Sequence, residues 1–371
     1  MGKIGIDIRK IRDYGIGTYI ENLISQFSRL NSENQYILFC RPQDLERLPP
    51  LGENFHPVVD ESANYSLREH LSLSRKAKRL SLDLYFSPHY VFPLLIPCRA
   101  IVTIHDVIHL LFPENLPRKG AYYYARFMIG RALAKAEKVV AVSHRSRADI
   151  QRLFPGYASR IEVIHNGIDP RFFRQPSENE LLRVKSKFQI DYPCILFVGN
   201  LKPHKNLTNL LKAFALLRGR RERGLKLVVA GAERDKSPDI GETIDRLSLG
   251  ADVRFLGYVN KEELCCLYHL AELFAFPSFY EGFGLPPLEA LACGTPVIAS
   301  NLSSLPEVLG DAAVMVNPHQ VEEIAEGMRQ LIENIPLREE LIRRGTQQVK
   351  KYSWEEAARR YLSLFAQIFT R

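Results

Sequence analysis

Glu281 and Glu289 stand with seven residues between them in the stretch Phe276-Pro-Ser-Phe-Tyr-Glu-Gly-Phe-Gly-Leu-Pro-Pro-Leu-Glu-Ala-Leu-Ala-Cys-Gly294. The apolar run Leu273–Phe276 reads as a strand, and a glycine-punctuated loop carrying Glu281 follows it. Pro286-Pro287 then opens a helix, because proline's fixed φ and missing N–H do no harm in a first turn. The spacing predicts Glu289 in that first turn and Gly294 at the helix end. Carboxylates held at a strand's C-terminal end and a helix N-terminus are acceptors for sugar hydroxyls. The backbone amides of Phe283, Gly284 and Leu285 are donors for a diphosphate. The plainer alternative is that Glu289 only satisfies the helix dipole.

A cation belongs beside such a diphosphate. Lys205 follows the apolar run Cys194–Val198 and the turn at Gly199 and Asn200, where a helical pattern starts. Its ammonium and the local amides would meet one phosphate together; a solvent-exposed lysine is the alternative. Gly15-Ile-Gly17 follows the first strand pattern, Ile4–Ile8. A lone pair of this kind is usually a tight turn, but at this position it also allows a diphosphate or sugar to approach the backbone. Ile20 stands where a dinucleotide G-x-G-x-x-G would need glycine, which argues against NAD. His105 ends the run Ala100–Ile104, and His89 follows Leu84–Phe86, both at the edge where such sheets bind ligands. Hydrogen-bonded loop histidines are the alternative for both, and His89 is not expected to be catalytic. No D-x-D occurs in the chain, so a carboxylate-held divalent metal is not expected.

The elements that must position these groups alternate short apolar runs with helical patterns, which argues for parallel sheets with crossover helices. A chain of 371 residues suits two domains. The polar, proline-bearing stretch 166–192 reads as the linker between them. The six cysteines show no C-x-x-C spacing, which points to reduced thiols rather than a disulfide framework or zinc site. The N-terminus runs directly into a strand pattern, with no room for a signal peptide, so a cytoplasmic location is expected. Residues 1–168 hold 23 Lys/Arg against 16 Asp/Glu, while residues 169–371 hold 27 against 26. The basic first half, concentrated in Arg68, Arg75, Lys76, Lys78 and Arg79, suits nucleic acid, an anionic membrane surface, anionic substrates, or simple solvation.

The glutamate pair resembles the E-x7-E motif of retaining glycosyltransferases of family 4, which have the two-domain GT-B fold. Val198-Gly-Asn-Leu-Lys-Pro-His-Lys-Asn206 resembles the family's phosphate-binding loop, and Ile164-His-Asn-Gly-Ile-Asp169 its interdomain segment. Thr103-Ile-His-Asp106, with Phe112-Pro-Glu114, resembles its donor-sugar loop, and Gly15-Ile-Gly17 its first glycine turn. Gly257-Tyr258-Val259 is similar to the loop that holds the base. These segments occur in family order along essentially the whole chain.

The resemblance implies an α/β protein of two Rossmann-like doubly wound domains facing across a cleft. Residues 1–168 would bind acceptor and 169–352 the nucleotide sugar, and the helix 353–371 would return to the first domain. Glu281, His105 and Lys205 would be catalytic. Gly15, Gly17, Asp106, Gly199, Asn200, Val259, Phe283, Gly284, Leu285 and Glu289 would bind substrate, with no metal or other cofactor. Many relatives have Arg at the position of Asn200, so a second cationic contact would fall to Lys202 or His204. The wording is most similar to bacterial mannosyltransferases of polysaccharide assembly. That implies mannose from GDP-mannose moved to a glycan or lipid-linked acceptor, with a UDP-hexose donor or a GT-B nucleotide-sugar epimerase as alternatives. No nucleic acid partner is expected. Arg68, Arg75, Lys76, Lys78 and Arg79 with Leu67, Leu71, Leu73, Leu80 and Leu82 also suit an amphipathic helix on the inner face of an anionic membrane.

Overall fold

In the computed structural model, which describes residues 2–116, 119–218, 224–234 and 237–370, the chain divides into two compact units. The first comprises Met1–Gly167 and Ser353–Arg371, and the second Ile168–Tyr352. The strands of the first are β1 (Lys3–Asp7), β2 (Gln35–Cys40), β3 (Phe55–Val59), β4 (Leu84–Ser87), β5 (Arg99–Ile104), β6 (Lys138–Ala141) and β7 (Ile161–Val163). They form one parallel sheet in the order β3-β2-β1-β4-β5-β6-β7. Its helices are α1 (Tyr14–Leu30), α2 (Leu67–Arg79), α3 (Ile108–Leu111), α4 (Lys119–Lys135) and α5 (His144–Leu153).

The second unit has β8 (Cys194–Val198), β9 (Lys226–Ala230), β10 (Val253–Gly257), β11 (Leu273–Phe276), β12 (Val297–Ser300) and β13 (Val314–Val316). They form a parallel sheet in the order β10-β9-β8-β11-β12-β13. Its helices are α6 (Glu178–Phe188), α7 (Leu207–Arg218), α8 (Pro238–Arg246), α9 (Lys261–Leu270), α10 (Leu285–Ala292), α11 (Leu305–Leu309), α12 (Val321–Glu333) and α13 (Ile335–Gln348). The last helix, α14 (Trp354–Phe369), packs on α1 in the first unit. Tyr361 on α14 joins a buried hydroxyl network there with Tyr19 and Thr103, its hydroxyl 2.9 Å from Thr103 Oγ1.

The inner strands are continuous apolar runs because parallel strands are covered on both faces. Every residue of β8 and of β11 is buried. Strand order reverses between β1 and β4 in one sheet and between β8 and β11 in the other. At such a point the flanking loops diverge and open a crevice outside the carboxyl ends of the strands.

Three expectations need correction. The proposed linker contains α6, started by a capping box in which Ser177 and Glu180 satisfy each other's backbone N–H groups. Strand β3 escapes the sequence reading because Pro57 interrupts it; the sheet tolerates that proline because β3 is an edge strand. Helix α1 begins at Tyr14, so Gly15 and Gly17 lie in its first turn rather than in the preceding loop.

Candidate active site

In the second unit the loops after β8 and β11 flank the reversal point, and they bring Lys205 and Glu281 together. Lys205 Nζ donates to both carboxylate oxygens of Glu281, at 2.8 and 3.0 Å. The two side chains are 14% and 12% exposed, so the pair is largely sheltered yet reachable from solvent. Asn206 fixes this register. It adopts a left-handed backbone conformation, φ 59°, and its amide donates to the Pro277 and Pro318 carbonyls at 2.9 and 2.8 Å. One side chain thereby ties the β8 loop to the β11 loop. Asn200 is occupied locally, its Oδ1 accepting from the Lys202 N–H at 3.2 Å, so its side chain shapes the turn after Gly199.

The loop carrying Glu281 is held from β12. Ser303 Oγ donates to the Glu281 carbonyl at 2.6 Å, and the Glu281 N–H donates back to it at 3.1 Å. Ser304 Oγ lies 3.0 Å from the carbonyl oxygens of both Glu281 and Phe283. Neither serine is distinguished in sequence by a motif. Gly284 caps α10 with φ +99°, and a Cβ there would lie 2.6 Å from Leu305 Cδ2. Only glycine meets both conditions. Pro286 and Pro287 carry no N–H, so the amides of Gly284 and Leu285 are the donors the helix start offers. The Phe283 side chain belongs to the core, edge-on to Tyr352 with ring centroids 5.5 Å apart.

Because α10 starts at Leu285, Glu289 is in its second turn, and no acidic residue lies in the first. This corrects the sequence expectation and weakens the helix-dipole reading, since that effect fades beyond the first turn. Glu289 is buried and accepts from the Tyr268 hydroxyl at 3.2 Å. Burial pushes its carboxyl up to about 7, against the Tyr268 hydrogen bond and the nearby Lys261 and Arg171 charges. Tyr268 was hidden among the apolar positions of α9. Val259 follows β10, two strands from β8, so it shares the sheet's carboxyl edge but is not joined to the Lys205–Glu281 pair.

In the first unit, His105 immediately follows β5, and its Nε2 donates to the Pro88 carbonyl at 2.8 Å. Its ring meets Tyr19 edge-on, with centroids 4.7 Å apart. Burial lowers its pKa below the ordinary histidine value. The ring is therefore neutral at pH 7, and its Nδ1 carries a lone pair that accepts hydrogen bonds. Asp106 uses Oδ1 to accept from the Ile108 N–H at 3.0 Å, at the entry to α3. Gly17 is explained internally, since a Cβ would lie 2.2 Å from the Ile11 carbonyl oxygen, whereas one at Gly15 would meet nothing within 4 Å. His89 is buried and neutral, its pKa lowered by desolvation to about 3, with Nδ1 accepting from the Val91 N–H.

Sequence reasoning missed the buried ion cluster after β1. Arg9 spans Asp7, at 2.8 and 2.6 Å, and Glu69, at 2.6 Å. Only the D-x-R spacing at the end of β1 hinted at it.

Residues 14–172 match the family Glycosyltransferase Family 4, and residues 178–348 match Glycosyl transferases group 1. The chain is similar to O-antigen chain mannosyltransferase B of Escherichia coli, with 34% identity over 86% of this chain and 81% of that protein. It is also similar to the serotype-specific mannosyltransferase WbdA of E. coli, with 30% identity over 71% of this chain but only 33% of WbdA. In fold it is similar to Alr3699/HepE of Anabaena, solved in complex with UDP and glucose. That likeness has a TM-score of 0.79 at 18% identity, covering 99% of this chain and 100% of the other.

Proposed function

We infer, given that this chain belongs to the glycosyltransferases of group 1 and family 4 and is a hexosyltransferase, that it moves mannose from GDP-mannose to a glycan or lipid-linked acceptor. The observation that carries this reading is the Lys205–Glu281 contact at the reversal point of the second sheet. Lys205 offers the positive charge a departing diphosphate needs, and Glu281 the carboxylate that grips hexose hydroxyls beside it. The choice of mannose is supported by the mannosyltransferase relatives.

In this reading the bond from the anomeric carbon to the diphosphate oxygen breaks first, and the negative charge grows on GDP. Lys205 and the amides at the start of α10 stabilise that charge without a divalent metal. The acceptor oxygen then bonds to the same face of the sugar, and its proton passes to the departing phosphate, so the anomeric configuration is retained. Glu289 binds the ribose hydroxyls. In the first unit, neutral His105 offers Nδ1 as an acceptor to a substrate hydroxyl.

Mass analysis of products from GDP-mannose and from UDP-hexoses, with and without an acceptor extract, tests the donor. Transfer from GDP-mannose alone is expected. Preference for a UDP-hexose overturns the donor assignment, and release of an isomer without acceptor overturns transfer. NMR of the product linkage reads retention. Adding Mg²⁺ or Mn²⁺ to enzyme freed of divalent ions should leave turnover unchanged.

A further inference from the structure

In the second unit, away from the Lys205–Glu281 pair, Cys265, His269 and Cys293 have the chemistry of a metal site. Cys265 and His269 are four residues apart on α9 and share a face, while Cys293 ends α10. Two sulfurs and one ring nitrogen lie within 4.8 Å of one another, and Cys265 Sγ is 4.0 Å from His269 Nδ1. Both cysteines are buried. Tetrahedral zinc, with Zn–S about 2.3 Å and Zn–N about 2.1 Å, needs ligand spacings of roughly 3.5–3.8 Å. Small side-chain rotations close that gap.

The surroundings are rich in lone pairs. Cys265 Sγ faces the Arg171 and Arg174 carbonyls at 3.5 and 3.7 Å, and Cys293 Sγ faces the Phe172 carbonyl at 3.4 Å. His269 Nδ1 donates to the Cys265 carbonyl at 2.9 Å. These carbonyls orient the two thiols and the ring, and the Arg171 carbonyl also takes the Arg174 N–H.

We propose that Cys265, His269 and Cys293 form a structural site for a zinc-class ion, completed by an oxygen ligand. A donor set of two sulfurs and one nitrogen selects such an ion over Mg²⁺ or Ca²⁺. On binding, each thiol releases its proton to water, and the two thiolates balance the ion's charge. The ring proton of His269 moves to Nε2, and the ring swings from the Cys265 carbonyl to coordinate through Nδ1. The ion clamps α9 to α10, the two helices that carry the Tyr268–Glu289 hydrogen bond.

Metal analysis of the intact protein and titration with Co²⁺ test this. One equivalent per chain is expected, with a thiolate-to-cobalt charge-transfer band in the near ultraviolet. Cys293→Ser and His269→Gln should each weaken Zn²⁺ binding by at least about a hundredfold. Cys266→Ser, adjacent in sequence but outside the cluster, should leave it unchanged. Zn²⁺ should raise the Tm of the wild type and not that of Cys293→Ser. Circular dichroism before titration separates loss of the site from loss of the fold. Absence of the band in the wild type, or binding retained in both ligand variants, overturns the proposal. The readout is metal rather than sugar transfer, so either result leaves the donor reading to its own test.

Discussion

Lys205 and Glu281 neutralise each other in a largely sheltered position, so neither can be removed without leaving the other's charge uncompensated. Lys205→Ala should therefore cost more than about a hundredfold in turnover, by loss of leaving-group stabilisation. Glu281→Gln should lower kcat strongly while holding GDP affinity within about threefold, because the hexose is absent from the product nucleotide. Steady-state kinetics with calorimetry of GDP binding check both, and an unchanged kcat for Glu281→Gln removes that residue from the site. Glu289 makes a different prediction. Its carboxyl is raised from 4.5 to about 7 by burial. At low pH it is protonated in folded and unfolded chains alike and costs nothing. As pH rises from 4.5 towards 7 the unfolded chain ionises first, and stability is lost until the folded carboxyl ionises as well. Glu289→Gln removes that penalty, so the variant should gain on the wild type between pH 5 and pH 8 by on the order of 3 kcal/mol. Urea denaturation at the two pH values reads the difference, and GDP affinity should fall in the same variant. Equal pH slopes for the two proteins would show that Glu289 ionises freely.

The helix α10 depends on one backbone conformation. Gly284→Ala places a Cβ at φ +99° against Leu305, a strain of about 1–3 kcal/mol, and should lower both Tm and GDP affinity by disturbing the loop that carries Glu281. Retained Tm with retained affinity would mean that the loop relaxes at no cost. Strands β8 and β11 are legible in sequence at their observed bounds, because fully buried parallel strands are uninterrupted apolar runs. Lys205 and Glu281 lie in the loops that follow them, which is why the central pair of the candidate site can be found without coordinates. Helix α6 is not legible in the same way, since only Val184 and Phe188 of its residues are buried and prolines precede it. Nor are Ser303, Ser304 and Tyr268, whose roles rest on hydrogen bonds across 21 to 23 residues of chain. The register of α10 is missed by one residue at its start, enough to move Glu289 from the first turn to the second. The cysteine–histidine cluster combines a helical repeat with a residue from another helix, and no spacing rule covers that combination.

Across the whole molecule the excess of basic residues belongs to the first half, and α2 presents much of it. Leu73 and Ala77 face inward, while Arg68, Arg75, Lys78 and Arg79 are exposed beside Leu67 and Leu71. Lys76 is committed instead to Asp60 at 2.7 Å, and Leu82 is buried. Among the described residues no helix is long and apolar enough to cross a membrane. The remaining cations suit a peripheral contact, each adding roughly 1 kcal/mol near an anionic surface. The protein should sediment with anionic but not zwitterionic vesicles, less so as salt rises. Reversing charge at Arg75, Lys78 and Arg79 should abolish this while sparing transfer to a soluble acceptor. Wild-type protein left in the supernatant at low salt would refute the contact. The division of the chain has another consequence, for synthesis. The second unit is one continuous segment, whereas the first is completed by residues made after it. Trp354, Tyr361, Leu364, Phe365 and Ile368 are buried in the first unit. On the ribosome, therefore, the earlier-made part of the first unit must wait, its apolar seat for α14 uncovered, while the whole second unit is translated and free to fold. The half of the protein that is begun first is finished last, and during that interval it is the half most in need of a chaperone.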